Sequence, residues 1–322
     1  MDRRGFLKGA LSGGALIATA SLPASDGDEP TEFSQRGAYE RLAMSYATLR
    51  VGATKPFSVL HISDTHLADA YPDEGAKKQK LVKERRKTFG GRQEEALADS
   101  LAWAKENTDY VLHTGDLIDF QSRRNLDLVK KHFGDFAGVF ACVGNHEYTP
   151  DMWLSDPKET NDDAQRAKMR GNLAGSYTFD LSFASQVVNG VNFVTLDDVY
   201  SCVSEEQVAR FRAEVAKGLP IVLCMHVPFF TDEIWRATHK FWFRPGKRFE
   251  SADVPKPVYG YAQQLADPVT RDFIAYLKCE PLLKAILAGH EHITVQDRFS
   301  PTAVEYLVGG NYMFHAREVL VV

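Results

Sequence analysis

Five short apolar runs in this chain stop in the same way, each at residues able to hold a metal ion or move a proton. "FSVLHIS" (57–63) leads to Asp64 and His66, and "YVLHTGD" (110–116) ends on Asp116, with Asp119 three residues on. "VFACVGN" (139–145) ends on Asn145 and runs into His146 and Glu147. "PIVLCMH" (220–226) ends on His226, and "KAILAGH" (284–290) ends on His290, with His292 two residues on. Near-continuous apolar runs mark strands buried on both faces, as in sheets covered by helices. In parallel sheets the carboxyl ends of the strands share a rim, and ligand sites form there. Singly the signals are weak, since D-x-H and G-D arise by chance and a lone His226 would ordinarily be a capped or core histidine. Together, five strands deliver Asp64, His66, Asp116, Asn145, His226, His290 and His292 to one place, more imidazole and carboxylate than a random rim carries.

Helical periodicity fills several of the gaps. Gln93 to Glu106 sets Ala96, Leu97, Leu101 and Ala104 on one face, and helices are also expected over Ser122 to Phe133, Ser204 to Lys217 and Pro268 to Lys278. Elsewhere the pattern changes. "YTFDLSF" (177–183) and "NFVTLDD" (192–198) flank "QVVNG", whose Asn189-Gly190 signals a hairpin, and three helix-free strands follow His292. Mixing βα units with hairpins calls for an α/β fold with mixed sheets: two packed sheets with helices outside. At 322 residues, 44% hydrophobic and 25% charged, composition is that of an ordinary globular chain. A single domain is expected over 38–322.

The first 24 residues read as a signal peptide. Paired Arg3 and Arg4 precede Gly5-Phe6-Leu7-Lys8, a mild apolar stretch over Gly9 to Ala18 and an Ala18-Thr19-Ala20 cleavage pattern. The RR-x-F-L-K string resembles a twin-arginine signal, and its apolar stretch is too short to span a membrane. Residues 25–37, rich in Asp, Glu, Pro, Ser and Gly, read as a linker. The expectation is export through the twin-arginine machinery to the periplasm or outside, with no transmembrane segment in the mature chain. Loss of residues 1–20 removes three basic residues and one acidic one, making a net charge of −5 still more acidic. No basic field points to nucleic acid. Export permits disulfides, yet Cys142 and Cys224 lie inside apolar strands and read as buried thiols.

In their order, the five motifs resemble the calcineurin-like metallophosphoesterase superfamily, from about Phe57 to the end. The resemblance implies a four-layer αββα sandwich with a dinuclear metal site. Carried onto this sequence, one ion takes Asp64, His66, Asp116 and His292, and the other takes Asp116, Asn145, His226 and His290, so Asp116 bridges. Nitrogen and oxygen donors of this mix suit divalent Mn, Fe, Zn or Co. The implied reaction is hydrolysis of a small-molecule phosphate mono- or diester by a metal-bridging hydroxide. His146 is the implied acid for the leaving oxygen, and Asp119 the carboxylate that orients it, unless Asp119 merely caps a turn. Glu147 reads as a structural salt-bridge partner. Purple acid phosphatases carry a tyrosine ligand where this chain has Asp119, so a tyrosinate–iron site is not expected. His61, His113, His132, His239 and His315 match no ligand position and read as core or surface histidines, with a place behind the ligands as the alternative for His61 and His113.

Two segments stay open at this level. "AKKQKLVKERRKTF" (76–89) holds seven basic residues against one glutamate, and reads as a solvated helical face or a cationic rim. "PFFTDEIWRATHKFWF" (228–243) reads as a lid, a second core or a dimer contact. As a lid it would offer Trp235 and Trp242, with Arg244 beyond, to the substrate. The rival functions are an inactive metal-binding or partner-binding scaffold of the same fold, and an exported nuclease.

Overall fold

A computed structural model describes residues 41–134, 138–149, 163–177, 180–199, 201–242 and 268–322. The strands are β1 (Ala43–Leu49), β2 (Phe57–Ile62), β3 (Tyr110–Thr114), β4 (Val139–Cys142), β5 (Phe183–Val188), β6 (Val191–Leu196), β7 (Ile221–Cys224), β8 (Leu283–Ala288), β9 (Val295–Arg298), β10 (Val304–Leu307) and β11 (His315–Val321). The helices are α1 (Ala76–Phe89), α2 (Gln93–Asn107), α3 (Arg123–Phe133), α4 (Asp163–Leu173), α5 (Glu205–Val215), α6 (Asp232–Trp242) and α7 (Pro268–Cys279). One sheet runs β1-β11-β2-β3-β4 and the other β5-β6-β7-β8-β10-β9. Both are mixed: β2, β3 and β4 are parallel neighbours, while β11 is antiparallel to β2. Likewise β6, β7, β8 and β10 run parallel between antiparallel β5 and β9.

Side-chain alternation builds the layers. In β2, Leu60 and Ile62 face a core shared with Leu97, Leu101 and Trp103 of α2. Phe57 and Val59 face the other way, into a core shared with Phe193, Val222 and Leu287 of the second sheet. In β7, Val222 and Cys224 join that central core, whereas Ile221 and Leu223 pack with Phe211 of α5 and Phe273 of α7. Three apolar layers therefore separate four structural ones, helix, sheet, sheet and helix, as the sequence led us to expect. The strands carrying the motifs are buried on both faces, which is why they read as near-continuous apolar runs.

Several local expectations shift. Ser122 is not in α3 but caps it, accepting from the Asn125 N–H. Ser204 caps α5 in a reciprocal pair with Gln207. The hairpin turn is Asn189-Gly190, both at positive φ, but the first strand is β5 itself, so "QVV" is paired strand rather than connection. Strand β1 was not anticipated. It lies parallel to β11, so the start and end of the described chain meet in one sheet edge. Residues 1–24 and 25–37 lie outside the described residues.

Candidate metal centre

The motif residues follow the strands of both sheets, not one. The first sheet supplies Asp64 and His66 after β2, Asp116 after β3, and Asn145 and His146 after β4. The second supplies His226 after β7, and His290 and His292 after β8. The rims interlock: the His290 N–H donates to Asp64 Oδ2 (2.9 Å), and His226 Nδ1 meets the Thr114 carbonyl oxygen at 2.7 Å. Two glycines permit this closeness. A Cβ on Gly289 would fall on Ser63 Oγ, and one on Gly144 would fall on Asp116 Oδ1.

Backbone strain concentrates here. Among the described residues eight non-glycine residues have positive φ, and five of them are Asp64 (54°), His66 (53°), Asp116 (54°), His290 (69°) and His292 (57°). A left-handed residue costs about 1–2 kcal/mol. Such outliers persist where the surroundings over-determine them, typically at functional sites.

Donor atoms converge into three overlapping groups: Asp64 with His66 and His292, His66 with Asp116 and His146, and Asp116 with His226 and His290. His66 Nε2 lies 3.1 Å from His292 Nε2, and His226 Nε2 lies 3.1 Å from His290 Nδ1. His226 Nε2 is 3.4 Å from Asp116 Oδ2 and 3.3 Å from Asn145 Oδ1, and His292 Nε2 is 3.3 Å from Asp64 Oδ1. Donors bound to one ion at about 2.0–2.2 Å stand roughly 3–3.5 Å apart along a polyhedron edge, so the spacing fits. Asp64 Oδ1 is buried without a hydrogen-bond partner, an acceptor aimed at this cluster.

Other contacts turn each ring. With Nδ1–H of His226 donated to Thr114, Nε2 is the nitrogen turned to the cluster, the one whose lone pair a metal ion would take once the ring is neutral. Asp119 Oδ1 lies 3.0 Å from Nδ1 of His66 and 3.0 Å from Nδ1 of His146, and the Asp119 carbonyl oxygen also meets His146 Nδ1, at 2.9 Å. It therefore serves two histidines, not only the expected one. Glu147 is structural, as anticipated, but it is not an ion-pair partner. Its carboxylate accepts the backbone N–H groups of Asp116, Leu117, Ile118 and Gly144, and the Tyr177 hydroxyl. That staple holds Asp116 in its left-handed conformation. Asp198 does the same on the second sheet, accepting the N–H groups of His226 and Val227.

Charge follows geometry. Burial disfavours a charged His226, but Asp116 overrides it and raises His226 to about 10. Burial likewise opposes charge on His146, yet Asp116 and Asp119 raise it to about 9. Without metal, His226 thus carries a proton at pH 7 where an ion would sit, and binding must expel it. Metal affinity is expected to rise with pH between 6 and 8, by about tenfold per unit for each proton displaced. Calorimetry in buffers of different ionisation enthalpy should show proton release. A pH-independent affinity would contradict this.

Sequence reasoning missed three contributors. Arg85 and Phe89 sit on the buried face of α1, where Phe89 stacks on His66 (centroids 4.2 Å, 13°). The helix is therefore neither wholly solvated nor merely a cationic rim. Tyr312, from the loop before β11, places its hydroxyl 3.2 Å from His292 Nδ1. Among the expected substrate contacts, Trp242 stands beside His292 (5.4 Å between ring centroids), and Trp235 is buried against Phe230 and His239. Arg244 lies outside the described residues. His113 Nε2 meets Thr65 Oγ1 at 2.9 Å and His61 Nε2 meets Thr114 Oγ1 at 2.9 Å, so both pack behind the cluster.

Imidazoles and carboxylates closing on one point, at the joint rim of two mixed sheets, form a site whose donors could hold metal ions. A model of the calcineurin-like phosphoesterase family matches residues 57–294, and the chain belongs to that family. Solved structures similar to it include a dimetal phosphatase from Danio rerio, 14% identical over 80% of this chain and 88% of that one (TM-score 0.47). The purple acid phosphatase from yellow lupin (Lupinus luteus) seeds is 12% identical over 80% of this chain and 44% of that one (TM-score 0.45). A 5′-nucleotidase from Candida albicans is 11% identical over 79% and 46% (TM-score 0.38), so this chain spans under half the length of the last two. Comparison with curated protein sequences returned no match. No helix among the described residues is long and apolar enough to cross a membrane.

Proposed function

We propose that this chain is an exported phosphoesterase that hydrolyses phosphate mono- or diesters at a centre of two divalent ions. The observation that carries the reading is Asp116, which belongs to two of the three donor groups and turns one oxygen toward His66, His146 and His226 alike. One ion would be held by Asp64, His66, Asp116 and His292, the other by Asp116, Asn145, His226 and His290. These donors suit Mn, Fe, Zn or Co. When bound, such ions supply an activated water near neutral pH and offset the charge of the phosphoryl group.

The chain's own residues do the rest. His146 presents Nε2 to the cluster, 3.9 Å from Asp116 Oδ2, while Nδ1 is tied to Asp119. Raised above neutrality, it holds a proton for the departing oxygen. A panel of aryl phosphate, bis-aryl phosphate, cyclic nucleotide, lipid phosphate and sugar phosphate, offered to the metal-loaded mature protein, tests the function. Turnover of at least one is expected, and none would overturn the reading.

Trp242 supports a place for an apolar or planar leaving group, because its ring flanks His292, which Tyr312 flanks as well. Trp242→Ala is expected to raise KM several-fold for the preferred substrate, the pattern of lost uniform binding. A minimal aryl phosphate should change less. Trp235→Ala should lower stability instead, since that ring is buried. Equal KM effects on both substrates would remove Trp242 from this role.

Export is part of the proposal and rests on Arg3, Arg4 and the Phe6-Leu7-Lys8 string. Changing both arginines to lysine is expected to leave precursor inside the cell, as fractionation would show. Undiminished export of the double variant would mean another route.

A further inference from the structure

The basic segment 76–89 has an inner side that its composition hides. Four residues of α1 are buried, and one of them is a cation: Leu81, Val82, Arg85 and Phe89. Arg85 sends Nε to Asp119 Oδ2 (2.6 Å) and Nη2 to Asp119 Oδ1 (2.8 Å), a two-pronged pair in which Arg85 is 5% exposed and Asp119 fully buried. The same Oδ1 bonds Nδ1 of His66 and lies 3.0 Å from Nδ1 of His146, which also meets the Asp119 carbonyl oxygen at 2.9 Å. One helical turn on, the Phe89 ring stacks on the His66 imidazole (4.2 Å) and lies 4.6 Å from the Arg85 guanidinium. Phe89 therefore packs against both of the groups that Asp119 holds, and the i, i+4 spacing of Arg85 and Phe89 puts them on one face of the helix.

We propose that Arg85 is a positioning residue that acts through Asp119 on two histidines at once, His66 on the metal side and His146 on the leaving-group side. This rests on the two-ion phosphoesterase reading of the site. A carboxylate bound by a single donor can turn about its own axis and carry Oδ1 away from both rings. The planar guanidinium fork grips both oxygens and fixes that angle. A lysine in the same place keeps the charge but grips as a point. Elsewhere on α1, Lys78 donates to the Gln121 carbonyl, Arg86 reaches the Ala68 carbonyl and Asp69, and Leu81 and Val82 are buried with Phe120, so Arg85 is the cation that the helix sends to the cluster.

The test compares Arg85→Met, Arg85→Lys, Asp119→Asn and the double variant Arg85→Met/Asp119→Asn. Misplacing a reacting group by about 1 Å costs on the order of 10²-fold, and losing a partner behind a metal ligand costs about 10–100-fold in metal affinity. Arg85→Met is expected to lower kcat about 10²-fold with little change in KM, and to weaken one ion of two. Asp119→Asn should do the same, and the double variant should be no worse than either. Arg85→Lys should melt close to the parent and still lose kcat, which separates aiming from folding should Arg85→Met be unstable. Ring-nitrogen NMR on the zinc-loaded full chain should show fixed Nδ1–H groups on His66 and His146, exchanging faster in Arg85→Lys. Additive losses in the double variant, parental kcat in Arg85→Lys, or unaltered ring protons would overturn the proposal. If the parent turns over no phosphoester at all, the functional reading fails by itself, and the ring-nitrogen spectra still decide the Arg85 tie.

Discussion

Replacing Asp116 with Ala is expected to empty both ion positions and to stop turnover. Among the described residues, its carboxylate is the one that faces His66, His146 and His226 together. It also anchors the loop after β4, accepting the His146 N–H at 2.9 Å. Loss of acid assistance alone is worth on the order of 10²–10⁴-fold. Asp116→Ala forfeits the activated water as well, so its loss should exceed that range. Rate measurement beside metal analysis checks this. A variant that keeps both ions and a measurable fraction of the rate would show that Asp116 is not shared.

The second large effect is expected at His146. It is in the cluster but not needed for either ion in the proposed assignment. His146→Ala should keep metal and lose about 10²–10⁴ in rate. The loss should be larger for poor leaving groups than for activated aryl esters, since a good leaving group departs without a proton. Brønsted plots of kcat against leaving-group pKa, with parent and variant, read this directly. A uniform loss across leaving groups, or loss of metal, would assign His146 a different role.

The parts of this molecule that sequence could reveal are those where a single physical demand shaped a contiguous stretch. Strands β2, β3, β4, β7 and β8 are covered on both faces, so each is mostly apolar, and each must stop where the rim begins. That juxtaposition of core and ligand is local and therefore visible. Strand β1 is not. It is an edge strand, mostly half-buried or exposed, and its partner β11 lies at the far end of the chain. Arg85 and Phe89 were hidden for another reason. Within seven basic residues a buried arginine looks like its neighbours, although Leu81, Arg85 and Phe89 recur at the spacing of one helical face. Glu147 was legible as structural because it follows a ligand. What it does was not, because its four backbone donors come from two loops about thirty residues apart. Tyr312 had no signal in its own neighbourhood, "GGNYMF", and its place beside His292 is set by the loop's return to the rim.

The central claim is the shared two-ion centre, and the most direct measurement is elemental analysis of the full chain purified without chelator and then loaded under metal-replete conditions. The account predicts close to two divalent transition ions per chain, falling in both positions together in Asp116→Ala. A parent protein that saturates at one ion or fewer would contradict it.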